Sequence, residues 1–191
     1  MKFPYSKHAN TLLSGLKGIE IGGAAHNPFG LDTINVDRIS HEHPDFTPYA
    51  TEQMRLCGEV LPVDVVAPGH NLPFDDKSFD FVISSHVIEH FYDPIEALQE
   101  WQRVASKYIY IICPQRDALP SDRDKPLTDI ADIMYRRITG CNEEASDEHH
   151  SRWTCQTFKQ MCSHFGFKVI NSLDPDDKVG NGFTVVIDAS K

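Results

Sequence analysis

Three of the short apolar runs in this 191-residue chain stop at residues able to do chemistry. One ends at Gly22-Gly23, the next at Asp37, and a later one at Ser85-His86, with Glu89 and His90 close behind. Glycines after a strand let a ligand approach the backbone, and an ionised carboxylate at the end of the next strand accepts two hydrogen bonds in one plane, as the hydroxyls of a ribose require. The pattern points to a nucleoside-bearing ligand. It is not the G-x-G-x-x-G fingerprint, because Ala24 and His26 stand where further glycines would be. Imidazole gains and loses a proton near neutrality, so His86 and the neighbours His149 and His150 are the candidates for a general base. His90 reads as a packing or capping residue. His41 and His43 have no acid or cysteine at ligand spacing and read as loop residues.

Positioning these groups at one place calls for an open parallel sheet, in which ligands bind outside the carboxyl ends of the strands. Strands are expected at 18–21, 33–36, 63–66, 79–85 and 108–113, the fourth rich in aromatic and β-branched residues after the turn Asp75-Asp76-Lys77-Ser78. Leu12, Leu13 and Leu16 suit a short amphipathic turn over 10–16, while Asn27-Pro28 and Gly30 leave room for one helical turn at most over 24–32. Pro44 and Pro48 predict loop, followed by a short helix over 51–56. Ile88, Phe91, Ile95, Leu98 and Val104 recur at helical spacing, so a helix is expected to open at His86 and run to about Arg103, with Asp93-Pro94 able to restart it. Further helices are expected over 127–138 and 156–165, and two last strands over 167–173 and 182–187. The charged stretch 115–150, with its acidic run 142–148, follows the carboxyl end of a strand and is expected to overhang the site as a substrate cap within one domain spanning 1–191.

With 40% hydrophobic and 24% charged residues the chain can bury one good core. Its formal charge of -10 opposes encounter with nucleic acid or an anionic membrane, so neither is expected as a partner. No apolar run approaches a membrane span, and Met1-Lys2-Phe3-Pro4-Tyr5-Ser6 lacks the apolar core of a signal peptide, which leads to the expectation of a cytoplasmic protein. Cys57, Cys113, Cys141, Cys155 and Cys162 are scattered and never in C-x-x-C spacing, as suits reduced thiols.

Five alternations of strand and helix and a closing hairpin, together with Leu72-Pro73-Phe74, Asp76, Ser78-Phe79-Asp80, Val82, Ser85 and Glu89-His90, make residues 18 to about 114 resemble the class I S-adenosylmethionine-dependent methyltransferases, in particular their small-molecule branch. The HHSRWT after the insertion is similar to members encoded among polysaccharide and sugar-modifying genes. The resemblance implies an α/β, Rossmann-like fold: a seven-stranded, mostly parallel sheet with a C-terminal antiparallel hairpin and helices on both faces. It implies S-adenosylmethionine as cofactor, with Glu20, Gly22 and Gly23 beneath its methionine end and Asp37 on the ribose hydroxyls. His70, Asn71 and Leu72 would border the adenine, and Ser85-His86 would face the sulfonium or the acceptor. Two positions depart from the family pattern. Pro68-Gly69 stands where an acid usually binds the adenine amino group, and Ala105-Ser106-Lys107 runs into the fifth strand without the usual glycine pair.

A sulfonium methyl is already activated, so alignment supplies most of the acceleration, with a base added when the acceptor is a hydroxyl. His86, at the end of the fourth strand, is the first candidate for that base, and His149 or His150, carried over the site by the insertion, the second. The expected activity is O-methylation of a small-molecule or sugar acceptor. Two alternatives come from other classes: a methyltransferase fold that binds a nucleoside or a partner without catalysis, and a zinc hydrolase using His86-Val87-Ile88-Glu89-His90, which spells H-x-x-E-H. The hydrolase motif belongs within a helix and needs a distant third ligand, whereas here it begins where a buried strand ends, so no metal site is expected.

Overall fold

The computed structural model describes residues 6–23, 29–140 and 148–190. In chain order the elements are α1 (Lys7–Leu13), β1 (Lys17–Ile21), β2 (Asp32–Asp37), α2 (Thr47–Cys57), β3 (Val65–Val66), β4 (Phe79–Ser85), α3 (Pro94–Val104), β5 (Ala105–Pro114), α4 (Ile130–Thr139), α5 (Cys155–His164), β6 (Val169–Leu173) and β7 (Gly182–Asp188). Single 3-10 turns lie at Pro44–Phe46 and Ile88–His90. The strands form one sheet in the order β3-β2-β1-β4-β5-β7-β6. The first five run parallel, and β7 enters antiparallel between β5 and β6. This is the expected mostly parallel Rossmann-like sheet with a C-terminal antiparallel hairpin. Because β1 is flanked by β2 on one side and β4 on the other, the crevice of the sheet opens at that switch of strand order.

Successive residues of a strand face opposite sides, and both sides of this sheet are covered. Phe81 and Ile83 of β4 pack with Ala9 and Leu13 of α1, while Val82 between them packs with Leu98 and Trp101 of α3 and Phe158 of α5. Among the described residues no helix is long and apolar enough to cross a membrane.

Capping decides where the helices start. The Ser6 hydroxyl accepts the Ala9 amide at 3.0 Å, so α1 begins before the leucines that suggested a turn over 10–16. Pro48 falls in the first turn of α2, where its missing N–H costs nothing, so this helix is longer than the 51–56 expected. Asp129 with Asp132, and Thr154 with Thr157, form reciprocal caps that set the starts of α4 and α5. The third strand is reduced to two residues at the sheet edge. The larger correction concerns 86–103: no helix opens at His86. Phe91 is extended, and α3 begins only at Pro94, where the Asp93 carboxylate accepts the amides of Ile95 and Glu96 at 3.0 and 3.2 Å. As the missing glycine pair foretold, α3 runs into β5 with no intervening loop. The expected single turn within 24–28, Cys141 and the acidic run up to Asp147 lie outside the described residues.

Candidate functional site

Strand register brings the three chemically equipped strand ends together. Ile21 pairs with Val36 of β2 and with Ser84 of β4, so Gly22, Asp37 and Ser85 follow side by side at one edge. The Gly22 amide donates to the Val36 carbonyl at 2.8 Å and the Ala67 amide to the Asp37 carbonyl at 2.9 Å, which extends the pairing past the strand tips. Asp37 is half-exposed, and its Oδ1 accepts the Ile39 amide at 3.1 Å. A carboxylate has about four lone-pair sites, so one backbone bond does not by itself exclude ligand hydroxyls. Glu20 is buried on β1, and Gln53 of α2 donates its amide to the Gly23 carbonyl at 3.0 Å. Ser85 is buried, and its hydroxyl has no hydrogen-bond partner among the described residues.

Gly22 is required twice over. Its φ is +68°, a left-handed conformation that side chains resist, and a Cβ there would lie 2.5 Å from Val87 Cγ2. Gly22→Ala is expected to destabilise the fold by about 1–3 kcal/mol in urea denaturation, the sum of backbone strain and overpacking.

The loop His70-Asn71-Leu72 borders the same edge and is tied to α3. Trp101 Nε1 donates to the Gly69 carbonyl at 2.7 Å, the Leu72 amide donates to Glu100 Oε1 at 2.7 Å, and Arg103 donates to the carbonyls of Leu72 and Phe74 at 3.2 and 2.8 Å. The His70 ring meets Phe91 edge-on at 6.2 Å. Leu72 is buried, whereas Asn71 is exposed.

Beyond Ser85 the chain turns sharply. His86 adopts φ +56° while its amide still donates to the Ile112 carbonyl at 2.9 Å. The turn lays Val87 against Gly22 and carries Glu89 inward on the 3-10 turn. Glu89 is wholly buried, and neither carboxyl oxygen has a hydrogen-bond partner among the described residues. Burial, with the Asp122 charge adding to it, pushes its pKa up to about 8. Glu89 Oε1 lies 3.8 Å from Nε2 of both His90 and His149, beyond hydrogen-bond reach. The two imidazoles meet edge to face at 4.8 Å between centroids.

His149 Nδ1 lies 2.5 Å from the carboxylate of the buried Asp122. A carboxylate oxygen accepts from the ring, so Nδ1 carries a hydrogen and Nε2 faces Glu89. Arg152 Nη1 and Lys125 Nζ stand 3.6 and 3.4 Å from the other Asp122 oxygen, Oδ1. His150 faces elsewhere. Its ring lies edge-on to Tyr92 at 5.5 Å, and burial together with the Arg136 charge lowers its pKa.

Segment 115–150 therefore delivers His149, not His150, to the cluster. Its seating is specific. Arg136 donates to the Ser151 hydroxyl at 3.0 Å and the His150 carbonyl at 3.3 Å, and Arg137 donates to both Asp93 oxygens at 3.1 and 3.0 Å. At Gly140 a Cβ would lie 2.0 Å from the Tyr92 ring. By contrast, His41 Nδ1 accepts the Val63 amide and His43 Nδ1 the Asp45 amide, so both rings brace loops.

Sequence reasoning singled out every member of this cluster except Asp122, one acid among several in a charged insertion. No local spacing marks it, since it lies 27 positions before the histidine it meets.

A family described as "Methyltransferase domain" matches residues 40–113. An uncharacterised methyltransferase of Schizosaccharomyces pombe is 40% identical over 50 residues, which are 26% of this chain and only 18% of that protein's length. Among solved structures, a SAM-dependent methyltransferase of Thermotoga maritima, described as a possible histamine N-methyltransferase, superposes with a TM-score of 0.54 at 21% identity, covering 96% of this chain and 86% of that one. A SAM-dependent methyltransferase of Methanosarcina mazei gives a TM-score of 0.55 at 17% identity over 97% of both chains.

Proposed function

We propose that this chain, whose fold is that of the class I S-adenosylmethionine-dependent methyltransferases, transfers the methyl group of S-adenosylmethionine to a hydroxyl of a small-molecule or sugar acceptor. The observation that carries this reading is the meeting of Gly22, Asp37 and Ser85 at one sheet edge, with Glu89, a few residues past Ser85, 3.8 Å from an imidazole oriented by a carboxylate. When bound, the cofactor would supply an electrophilic methyl carbon. Glu20, Gly22 and Gly23 would lie beneath its methionine end, Asp37 would accept the ribose hydroxyls, and His70, Asn71 and Leu72 would border the adenine. The buried hydroxyl of Ser85 suits the polar end of such a ligand, since an unmet buried donor is costly. His86 would sit beside the reacting centre.

Of the three candidate histidines, His149 best suits removal of the acceptor's proton. Asp122 fixes its tautomer and stabilises the imidazolium that forms. His86 is held by a strained turn, and His150 packs on Tyr92. The described part of segment 115–150, which carries Asp122 and His149, would form the wall through which an acceptor enters.

Incubating the protein with S-adenosylmethionine and a panel of sugars, reduced quinones and amines, and following the demethylated cofactor, tests the activity. Turnover is expected with hydroxyl acceptors. Cofactor binding with no turnover on any acceptor would instead make the chain a binding protein. Asp37→Ala is expected to weaken cofactor affinity tenfold to hundredfold, because about 1.5–3 kcal/mol of charge-assisted hydrogen bonding to the ribose is lost. An unchanged dissociation constant would contradict the placement of the ribose.

A further inference from the structure

We propose that Glu89, His90 and His149 form a binding site for one divalent transition-metal ion, with Asp122 orienting His149 through its Nδ1. Three donor atoms, one from each residue, lie within 4.8 Å of one another. With Oε1 at 3.8 Å from each Nε2 and no two donors more than 4.8 Å apart, a point equidistant from the three lies at most about 2.5 Å from each, within a few tenths of an ångström of the about 2.0–2.2 Å of a bound transition ion. Small side-chain adjustments close that gap.

The surroundings are those of a built site. A wholly buried carboxyl whose oxygens lack hydrogen-bond partners among the described residues is an unfavourable arrangement that a cation would relieve. Each imidazole has its outer nitrogen engaged: His149 Nδ1 with Asp122 at 2.5 Å and His90 Nδ1 with the Glu148 carbonyl at 3.1 Å. That is how ligating histidines are held, with the second ring nitrogen donating to a carboxylate or a carbonyl and the first turned to the metal. Two imidazoles and one carboxylate favour zinc, cobalt, iron or manganese over magnesium or calcium, which take oxygen ligands. The H-x-x-E-H pattern contributes Glu89 and His90 but not His86, which is why its helical reading fails while a metal site survives.

Three protein ligands leave coordination positions open. The ion's role in catalysis rests on the methyltransferase reading, whereas ion binding does not. Within that reading the open positions would take two neighbouring oxygens of the acceptor, and the cation would lower the pKa of the hydroxyl to be methylated. His149 Nε2 would then act as a ligand, and the hydroxyl, acidified by the cation, would lose its proton to solvent water. The acceptor class narrows to vicinal diols.

The experiment titrates the full chain, stripped with a chelator and dialysed, with Co²⁺ alone and follows its visible absorption. One ion per chain is expected, with binding weakened at least a hundredfold in Glu89→Gln and in His149→Ala, and tenfold to hundredfold in Asp122→Asn. Circular dichroism of each variant establishes that it is folded. Absence of Co²⁺ binding to the wild-type chain, or binding unchanged in folded Glu89→Gln and His149→Ala, overturns the proposal. Calorimetry with S-adenosylmethionine on the same stripped protein separates the two readings. Co²⁺ binding without cofactor binding leaves the metal site standing and removes the methyltransferase. Cofactor binding and methyl transfer undiminished by chelation, with no Co²⁺ bound, does the reverse.

Discussion

His149→Ala is expected to lower kcat by about a hundredfold to ten-thousandfold while leaving the affinity for S-adenosylmethionine within about twofold. The size follows from what the side chain does. Its Nδ1 meets a buried carboxylate, so its Nε2 is turned towards the cluster. In the proposed mechanism Nε2 would either receive the hydroxyl proton or hold the ion that acidifies the hydroxyl, and alanine would remove both functions. The residues proposed to hold the cofactor lie apart from His149 and keep their partners, so binding of the donor should persist. Asp122→Asn is expected to fall between parent and alanine variant, because an amide at that position can turn either oxygen or nitrogen towards Nδ1 and no longer stabilises a positive ring. Steady-state kinetics beside calorimetric titration of each variant checks both halves. A kcat unchanged in His149→Ala would move the chemistry away from this cluster.

Trp101→Ala is expected to cost about 3–5 kcal/mol, a large part of the stability of a domain this size. Trp101 is fully buried, stacks edge-on with Phe91 at 6.0 Å, and donates its indole hydrogen to the Gly69 carbonyl at 2.7 Å. It joins the core beneath β4 and β5 to the loop that the proposed adenine would border. Trp101→Phe keeps most of the volume and loses the hydrogen bond, leaving a buried carbonyl unmet, and is expected to cost about 1–2 kcal/mol. Urea denaturation gives both values. Equal losses in the two variants would mean that the indole hydrogen, rather than packing, holds this corner.

The parallel part of the sheet was legible because its strands are short apolar runs with abrupt polar ends. The runs ending at Gly22, Asp37 and Ser85 are such cases, and the register of β1 with β2 and β4 places those ends together as expected. The helix expected at His86 was not real, and the reason is local. Ile88, Phe91, Ile95 and Leu98 mimic one helical face, but Ile88 belongs to a 3-10 turn and Phe91 to extended chain. Asp93-Pro94, legible as a restart, is the true beginning of α3. Asp122, and its pairing with His149, were beyond sequence reasoning for a different cause. They are 27 positions apart, and their meeting depends on how the insertion folds back, anchored by Arg136 and Arg137, which no periodicity encodes. The same long-range packing turned Glu89, seen in the sequence as part of a motif, into a buried carboxyl between two histidines.

The central claim is that the tips of β1 and β2 hold a nucleoside-bearing methyl donor. Isothermal titration of the full chain with S-adenosylmethionine tests it most directly. The account predicts one molecule bound per chain, displaced by the demethylated product. Titration without heat or saturation at millimolar donor would contradict it.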